Sequence, residues 1–135
     1  MSALPQLTAL NFAAVGLGAA FGAWVRWLLG VGLNPLFVTL PLGTLAANVI
    51  GGYLIGVAVG VFHLNSGLPL ALKLFAITGF LGGMTTFSTF SAEVVERLLA
   101  GQPAWAIGLA SLHLAGSLTA TWLGLLTVGA TRLWG

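Results

Sequence analysis

Two phenylalanines are the side chains of this sequence best suited to meet a small anion. Phe87 and Phe90 are spaced i,i+3, so on a helix they project from one face. The edge of a phenylalanine ring carries partial positive charge, and beside hydroxyl groups it can stabilise an anion without trapping it. Packing is the usual role of phenylalanine, and that alternative stays open.

An amide and a hydroxyl form the second candidate group. Asn48 follows Thr44 by one helical turn, so the two side chains share a face. Polar groups inside a bilayer are costly, and they usually face a bundle interior or a water-filled path. Asn48 therefore either lines a pore or bonds to a neighbouring helix.

The remaining polar side chains carry weaker signals. No second histidine, cysteine or acid lies near His113 in the sequence, which disfavours a metal site. The Ser117 hydroxyl can bond to its own helix and needs no function. Glu93 and Arg97 are spaced i,i+4, and we expect them to pair with each other. We find no nucleophile triad, phosphate-binding loop or paired carboxylates, and we do not expect an enzyme.

The two phenylalanines belong to an unusual segment, GFLGGMTTFSTFS at 79–91. Gly79, Gly82 and Gly83 each weaken helix propensity by up to about 1 kcal/mol, and the hydroxyls compete for backbone hydrogen bonds. We predict that a helix breaks here, at the bilayer midplane. The carbonyls that end the first half favour a cation, and the N–H groups that begin the second favour an anion.

Composition identifies the elements that carry these residues. The chain has 135 residues, of which 59% are hydrophobic and 4% charged, so it is an integral membrane protein. Apolar runs at about 10–33, 42–63, 70–100 and 104–133 predict four transmembrane helices in one domain, 1–135. Only four basic side chains are present, which excludes a nucleic-acid surface, and there is no cysteine.

Glycine spacing indicates how the spans touch. Gly52, Gly56 and Gly60 recur every four residues in the second span, and Gly18 and Gly22 do so in the first. Small residues at this spacing let helix backbones approach closely. The contact is either within the chain or in a dimer, and the spacing leaves both open.

Basic residues are balanced between the two membrane sides. A four-span chain has Lys73 and Arg132 on one side and Arg26 and Arg97 on the other. The positive-inside rule then has no asymmetry to act on, so we expect insertion in both orientations. Oppositely inserted copies form a closed two-fold dimer naturally.

The chain resembles the Fluc (CrcB-type) fluoride channels over nearly its whole length. The resemblance rests on TGFLGGMTTFSTFSAE at 78–93, with GAWVRW at 22–27 and GTLAANVIGGYLIG at 43–56. It implies an all-α, antiparallel, dual-topology homodimer in the inner (plasma) membrane, with two pores. Each pore would pass fluoride down its gradient and so lower cytoplasmic fluoride and its toxicity. A small multidrug-type transporter fits poorly, because that class relies on a buried acid in the first span, and the first span of this chain has no acidic residue.

The resemblance also implies residue roles. Fluoride would pass beside rings, an amide and hydroxyls, with an arginine near the vestibule, and the implied residues are Phe87, Phe90, Asn48, Thr44, Ser117 and Arg26. His113 stands where some relatives carry a small hydroxyl residue on the polar track. One structural sodium ion, which is not transported, would be held by the carbonyls of Gly82 and Thr85 from both subunits.

Overall fold

The computed structural model describes residues 4–134, and the regular secondary structure in that range is all helical. Four helices are long and apolar enough to span a membrane. They are α1 (Ala9–Leu33), α2 (Leu42–Leu64), α3 (Leu70–Leu99, in two halves) and α4 (Pro103–Thr127). These helices confirm the all-α class and the four predicted spans.

The end of α4 differs from the prediction. The helix stops at Thr127 rather than 133, and Gly129 follows with φ 69°. Glycine adopts this left-handed conformation without steric cost, so it ends the helix and starts a short 3₁₀ turn, Ala130–Trp134.

The bundle has large side chains outside and small residues inside. Exposed residues include Phe12, Trp24, Trp27, Leu118 and Trp122. The buried faces of the helices are instead rich in glycine and alanine. This pattern suits hydrocarbon surroundings, because lipid solvates the large apolar groups while small residues let the helices pack closely.

The glycine rows of α2 face α4. An added Cβ at Gly56 would collide with the Thr121 carbonyl, and one at Gly60 with the Val128 side chain. From α4, Gly124 approaches the Val57 amide nitrogen in the same way, at 2.8 Å from its would-be Cβ. Of the two alternatives left open by the sequence, these glycines serve packing within the chain.

The glycines near the break also serve packing. A Cβ at Gly22 of α1 would stand 2.8 Å from the Met84 amide nitrogen, and one at Gly83 would stand 3.0 Å from Ala19 Cα. Gly79, Gly82 and Gly83 all lie in helical backbone. The helix is therefore not interrupted at these glycines, and at Gly79 and Gly83 close contact with α1 outweighs poor helix propensity.

The interruption of α3 falls on two threonines instead. The first half, α3a, covers residues 70–84 and is π-helical over Leu74–Leu81. Thr85 and Thr86 are extended, with ψ 154° and 120°. The second half, α3b, is Phe87–Leu99. Thr86 caps α3b, because its Oγ1 accepts a hydrogen bond from the Thr89 N–H at 3.1 Å.

A side chain in the α1–α2 loop fixes the start of α2. Asn34 Oδ1 accepts hydrogen bonds from the N–H groups of Gly43 and Thr44, at 2.8 and 3.2 Å. Helix N-termini have unpaired N–H groups, so this cap anchors the turn that carries Thr44.

Candidate functional site

A cavity of about 380 Å³ lies beside the break in α3. We call it the break cavity. Both halves of α3 contribute to its wall, and so do α2 and α4. Its lining includes Asn48, Gly82, Thr85, Thr86, Phe87, Phe90, His113 and Ser117. Most residues that the sequence singled out therefore come together in one place.

Asn48 ties α2 to the break and to α4. Its Oδ1 accepts a hydrogen bond from the Thr86 N–H at 2.7 Å, and its Nδ2 donates to the Thr86 carbonyl at 2.9 Å. Nδ2 also lies 2.9 Å from Nδ1 of His113. Asn48 thus pairs the N–H and the carbonyl of Thr86, which is extended and makes no helical hydrogen bonds with them. Buried backbone polar groups require such partners.

His113 is enclosed in the wall of the break cavity. Only 3% of its surface is exposed, and its ring stacks on that of Phe90 with centroids 4.5 Å apart. Its Nε2 is buried and has no hydrogen-bond partner within residues 4–134. An unpaired buried donor or acceptor costs about 1–3 kcal/mol, so this atom is unusual.

Phe87 and Phe90 differ sharply in a single chain. Phe90 is only 9% exposed, whereas Phe87 is 77% exposed. Their rings still meet edge to face, with centroids 5.7 Å apart. Phe90 packs against His113 and also lines the break cavity, so its packing and lining roles coincide. Phe87 lines the same cavity from its outer rim.

Thr44 pairs with Glu93 rather than standing alone in a pathway. Its Oγ1 donates to Glu93 Oε1 at 2.6 Å, and the other oxygen, Oε2, is buried without a partner among the described residues. Arg97 instead donates from Nη1 to Gln102 Oε1 at 2.9 Å. The predicted Glu93–Arg97 pair is therefore wrong, because each side chain has a better-placed partner.

Ser117 lines the break cavity from α4. Its hydroxyl donates to the His113 carbonyl in its own helix, as the sequence allowed. Thr121, one turn further on, has its Oγ1 2.9 Å from the Gly52 carbonyl and so links α4 to α2. The oxygen of Ser117 remains an acceptor or, after rotation, a donor for an ion in the cavity.

Arg26 lies within α1, beside the break. Its Nε donates to the Gly83 carbonyl at 3.0 Å. Carbonyls in the last turn of a helix lack intrahelical partners, and a cation there is also favoured by the helix dipole. The structure thus gives Arg26 a defined role, which is to cap the end of α3a.

The carbonyls of Gly82 and Thr85 lose their normal helical donors. In a continuous helix Gly82 would accept from the Thr86 N–H and Thr85 from the Thr89 N–H. Here the Thr86 N–H donates to Asn48 and the Thr89 N–H donates to the Thr86 hydroxyl. Freed carbonyl oxygens are the ligands that a hard monovalent cation takes, so both positions fit a sodium ion.

Sequence reasoning missed two residues of the site, Thr86 and Glu93. Thr86 had a local signal, since a threonine before an amphipathic run is a preferred N-cap. Glu93 also had one, because it follows Phe90 by three residues and so lies on the same face of α3b. Because Arg97 is one helical turn away in the sequence, it was the expected partner of Glu93, and the pairing with Thr44 was not considered.

Comparison with known proteins gives consistent matches. Residues 13–125 match the family model described as CrcB-like protein, Camphor Resistance (CrcB). A protein of Dechloromonas aromatica is 84% identical over 134 residues, covering 99% of both chains. Relatives from Nitrosospira multiformis and Cupriavidus taiwanensis are 65% and 59% identical, covering 85% and 87% of this chain and 90% and 94% of their own. All three are named fluoride-specific ion channel FluC.

Proposed function

The chain belongs to the CrcB-like family of multi-pass membrane proteins, and on this premise we propose that it is a fluoride-selective ion channel. It lets fluoride leave the cytoplasm passively, down its electrochemical gradient, and so confers fluoride resistance. The observation that carries the proposal is the relative named fluoride-specific ion channel, which is 84% identical over 99% of the chain. Its role is transport and not catalysis.

The break cavity has the chemistry that such a pathway needs. Among the described residues, its wall offers ring edges, hydroxyls and neutral nitrogen groups but no lysine or arginine. An ion must bind well enough to enter and weakly enough to leave, and neutral partial charges meet both conditions. Fluoride exchanges hydration for contacts with Phe87, Phe90, His113 and Ser117 in a pathway that Asn48 also lines, while Thr44 lines the approach and Arg26 attracts anions near the vestibule.

The functional unit is an antiparallel homodimer with two pores, each lined by both subunits. The exposed ring of Phe87 supports this, because a partner subunit would cover it and complete the pore wall. Lys73 and Arg132 on one side balance Arg26 and Arg97 on the other. This balance gives little orientation preference and supports dual topology in the inner (plasma) membrane.

A structural sodium ion, which is not transported, would be held between the subunits. Its ligands would be the freed carbonyls of Gly82 and Thr85 from both subunits. Gly82 is exposed in the single chain, which supports its facing a partner. When bound, the ion neutralises the carbonyl dipoles that end α3a.

The test replaces each phenylalanine by isoleucine in protein reconstituted into liposomes loaded with sodium fluoride or sodium chloride. We expect wild-type vesicles to release fluoride and retain chloride, as recorded with ion-selective electrodes. Phe90→Ile and Phe87→Ile should each slow fluoride release by up to about tenfold, if the electrostatic contact of a ring edge with the anion matches that of an edge-to-face aromatic pair, roughly 0.5–1.5 kcal/mol. Dimer elution should stay unchanged.

Phe12→Ile is the matched control, because Phe12 is exposed on the outer face of α1. Its fluoride release should equal that of the wild type. Release at the wild-type rate from Phe87→Ile and Phe90→Ile, as from Phe12→Ile, would contradict the assignment of the rings to the pathway. Chloride release at the fluoride rate would contradict selectivity.

A further inference from the structure

Both amide hydrogens of Asn48 are already used within the chain. The Thr86 N–H can only donate, so its partner at 2.7 Å is the Asn48 oxygen. The Thr86 carbonyl can only accept, so its partner at 2.9 Å is Asn48 Nδ2. Only the second hydrogen of Nδ2 remains, and it serves the 2.9 Å contact with His113 Nδ1.

This arrangement determines the tautomer of His113. Nδ1 receives a hydrogen bond from Asn48, so Nδ1 carries no proton. A neutral imidazole has one ring proton, which must then be on Nε2. An imidazolium would set an N–H of His113 against an N–H of Asn48, and Asn48 cannot rotate to relieve this without losing both bonds to Thr86.

The Nε2–H group of His113 is then a hydrogen-bond donor without an acceptor among the described residues. It is buried, it has no partner in the part of the chain that the structure describes, and His113 lines the break cavity beside Phe90. Buried donors in native proteins are almost always paired, so one left unpaired in a cavity wall points to a ligand that accepts hydrogen bonds. A small desolvated anion is such a ligand.

We propose that the Nε2–H of His113 is a fluoride donor in the pathway, and that Asn48 is the positioning residue that holds the ring in this tautomer. The inference rests on the proposed function and makes it more specific. Because Nε2 is shielded from solvent, the ion reaches it only when side chains of the cavity wall move. Asn48 then acts mainly through His113 and Thr86 rather than as the anion's own ligand.

Nitrogen NMR of the dimer in lipid nanodiscs, with ¹⁵N-labelled histidine, tests the tautomer directly. The chain has two histidines, and His63→Asn assigns the spectrum. We expect His113 to carry its proton on Nε2 at neutral pH, and sodium fluoride but not sodium chloride to shift that resonance. A proton on Nδ1, or on both nitrogens, would overturn the proposal.

Asn48→Asp tests the positioning role, because a carboxylate can only accept. We expect the proton of His113 to move to Nδ1 in this variant, a change that a merely structural loss would not produce. Persistence of the Nε2–H tautomer in Asn48→Asp would show that Asn48 does not set it.

Fluoride release tests the donor role. In His113→Asn the amide oxygen can still accept from Asn48, but nothing reaches the position of Nε2. Losing a hydrogen bond to a charged ion should slow release by about tenfold or more. His63→Asn, the same substitution at the end of α2, should leave release unchanged.

The outcomes separate the two proposals. Wild-type vesicles that retain fluoride would overturn the proposed function and the donor role together. Wild-type release with equal release from a dimeric His113→Asn protein would overturn the donor role alone. Loss of release in His113→Asn, with the Nε2–H tautomer in the wild type, is the expected result.

Discussion

The two halves of α3 are held in the bundle by different forces. The α3a half lies against α1 through glycines, with Gly22 close to the backbone of Phe80 and Met84. The α3b half is held by α2 and α4 through side chains, namely the pairs Asn48–Thr86, Thr44–Glu93 and Phe90–His113. Close backbone packing fixes α3a, and side-chain hydrogen bonds and ring stacking fix α3b. The cavity with polar groups in its wall therefore lies where side chains, rather than backbone contact, hold the helix.

The largest effect should come from breaking the backbone contact of α3a. In Gly22→Ala the new Cβ would stand 2.8 Å from the Met84 amide nitrogen and against the Phe80 carbonyl. Backbone cannot move aside cheaply, so we expect a loss of about 3 kcal/mol or more in the free energy of unfolding, measured by titration with sodium dodecyl sulfate.

Gly16→Ala is the control on the same helix, because no atom of residues 4–134 lies within 4 Å of its would-be Cβ. It should keep or slightly raise stability, by up to about 1 kcal/mol. Similar losses in the two variants would mean that backbone contact does not fix α3a.

A smaller effect should come from releasing α3b. Asn48→Ala leaves the Thr86 N–H and carbonyl without their partners, and we expect a loss of about 2 kcal/mol. Amide hydrogen exchange should accelerate at the start of α3b and stay unchanged in α3a. Asn65→Ala removes an exposed amide that bonds to its own helix end, and it should change neither quantity. Uniform acceleration along α3 would show that its halves do not respond separately.

The smallest of these effects concerns the junction between the halves. Arg26→Lys keeps the charge but loses the directed hydrogen bond from Nε to the Gly83 carbonyl. We expect stability to fall by about 1 kcal/mol, with Arg132→Lys as the neutral comparison. If Arg26 acted only by attracting anions, the lysine variant would match the wild type in stability and in fluoride release.

The four spans could be predicted because their signals are local. Apolar runs interrupted by residues such as Pro35 and Pro41 mark the helix ends within a few positions. The sequence located the break of α3 within the segment 79–91 but did not identify the residues at which the helix is interrupted. Propensity pointed to Gly79, Gly82 and Gly83, but all three are helical, with Gly79 and Gly83 packed against α1, and the extended residues are the two threonines that follow.

Part of the site was visible in the same way. The shared face of Thr44 and Asn48 follows from helical periodicity. Their partners did not follow, since Glu93 and Thr86 are 49 and 38 residues away along the chain. A local pair, Glu93 with Arg97, looked sufficient and was wrong.

The sequence by itself determined the membrane class, the number of spans, the residues that gather near the break and, through resemblance, the family. These properties depend on composition and on short spacings between residues, which can be read from the sequence without knowing the fold. Only the tertiary structure decided that Phe90 faces inward while Phe87 faces outward, and that Nε2 of His113 is buried without a hydrogen-bond partner among residues 4–134. The physical reason is that each hydrogen bond uses up a donor, and which donors remain depends on contacts between helices distant in the chain.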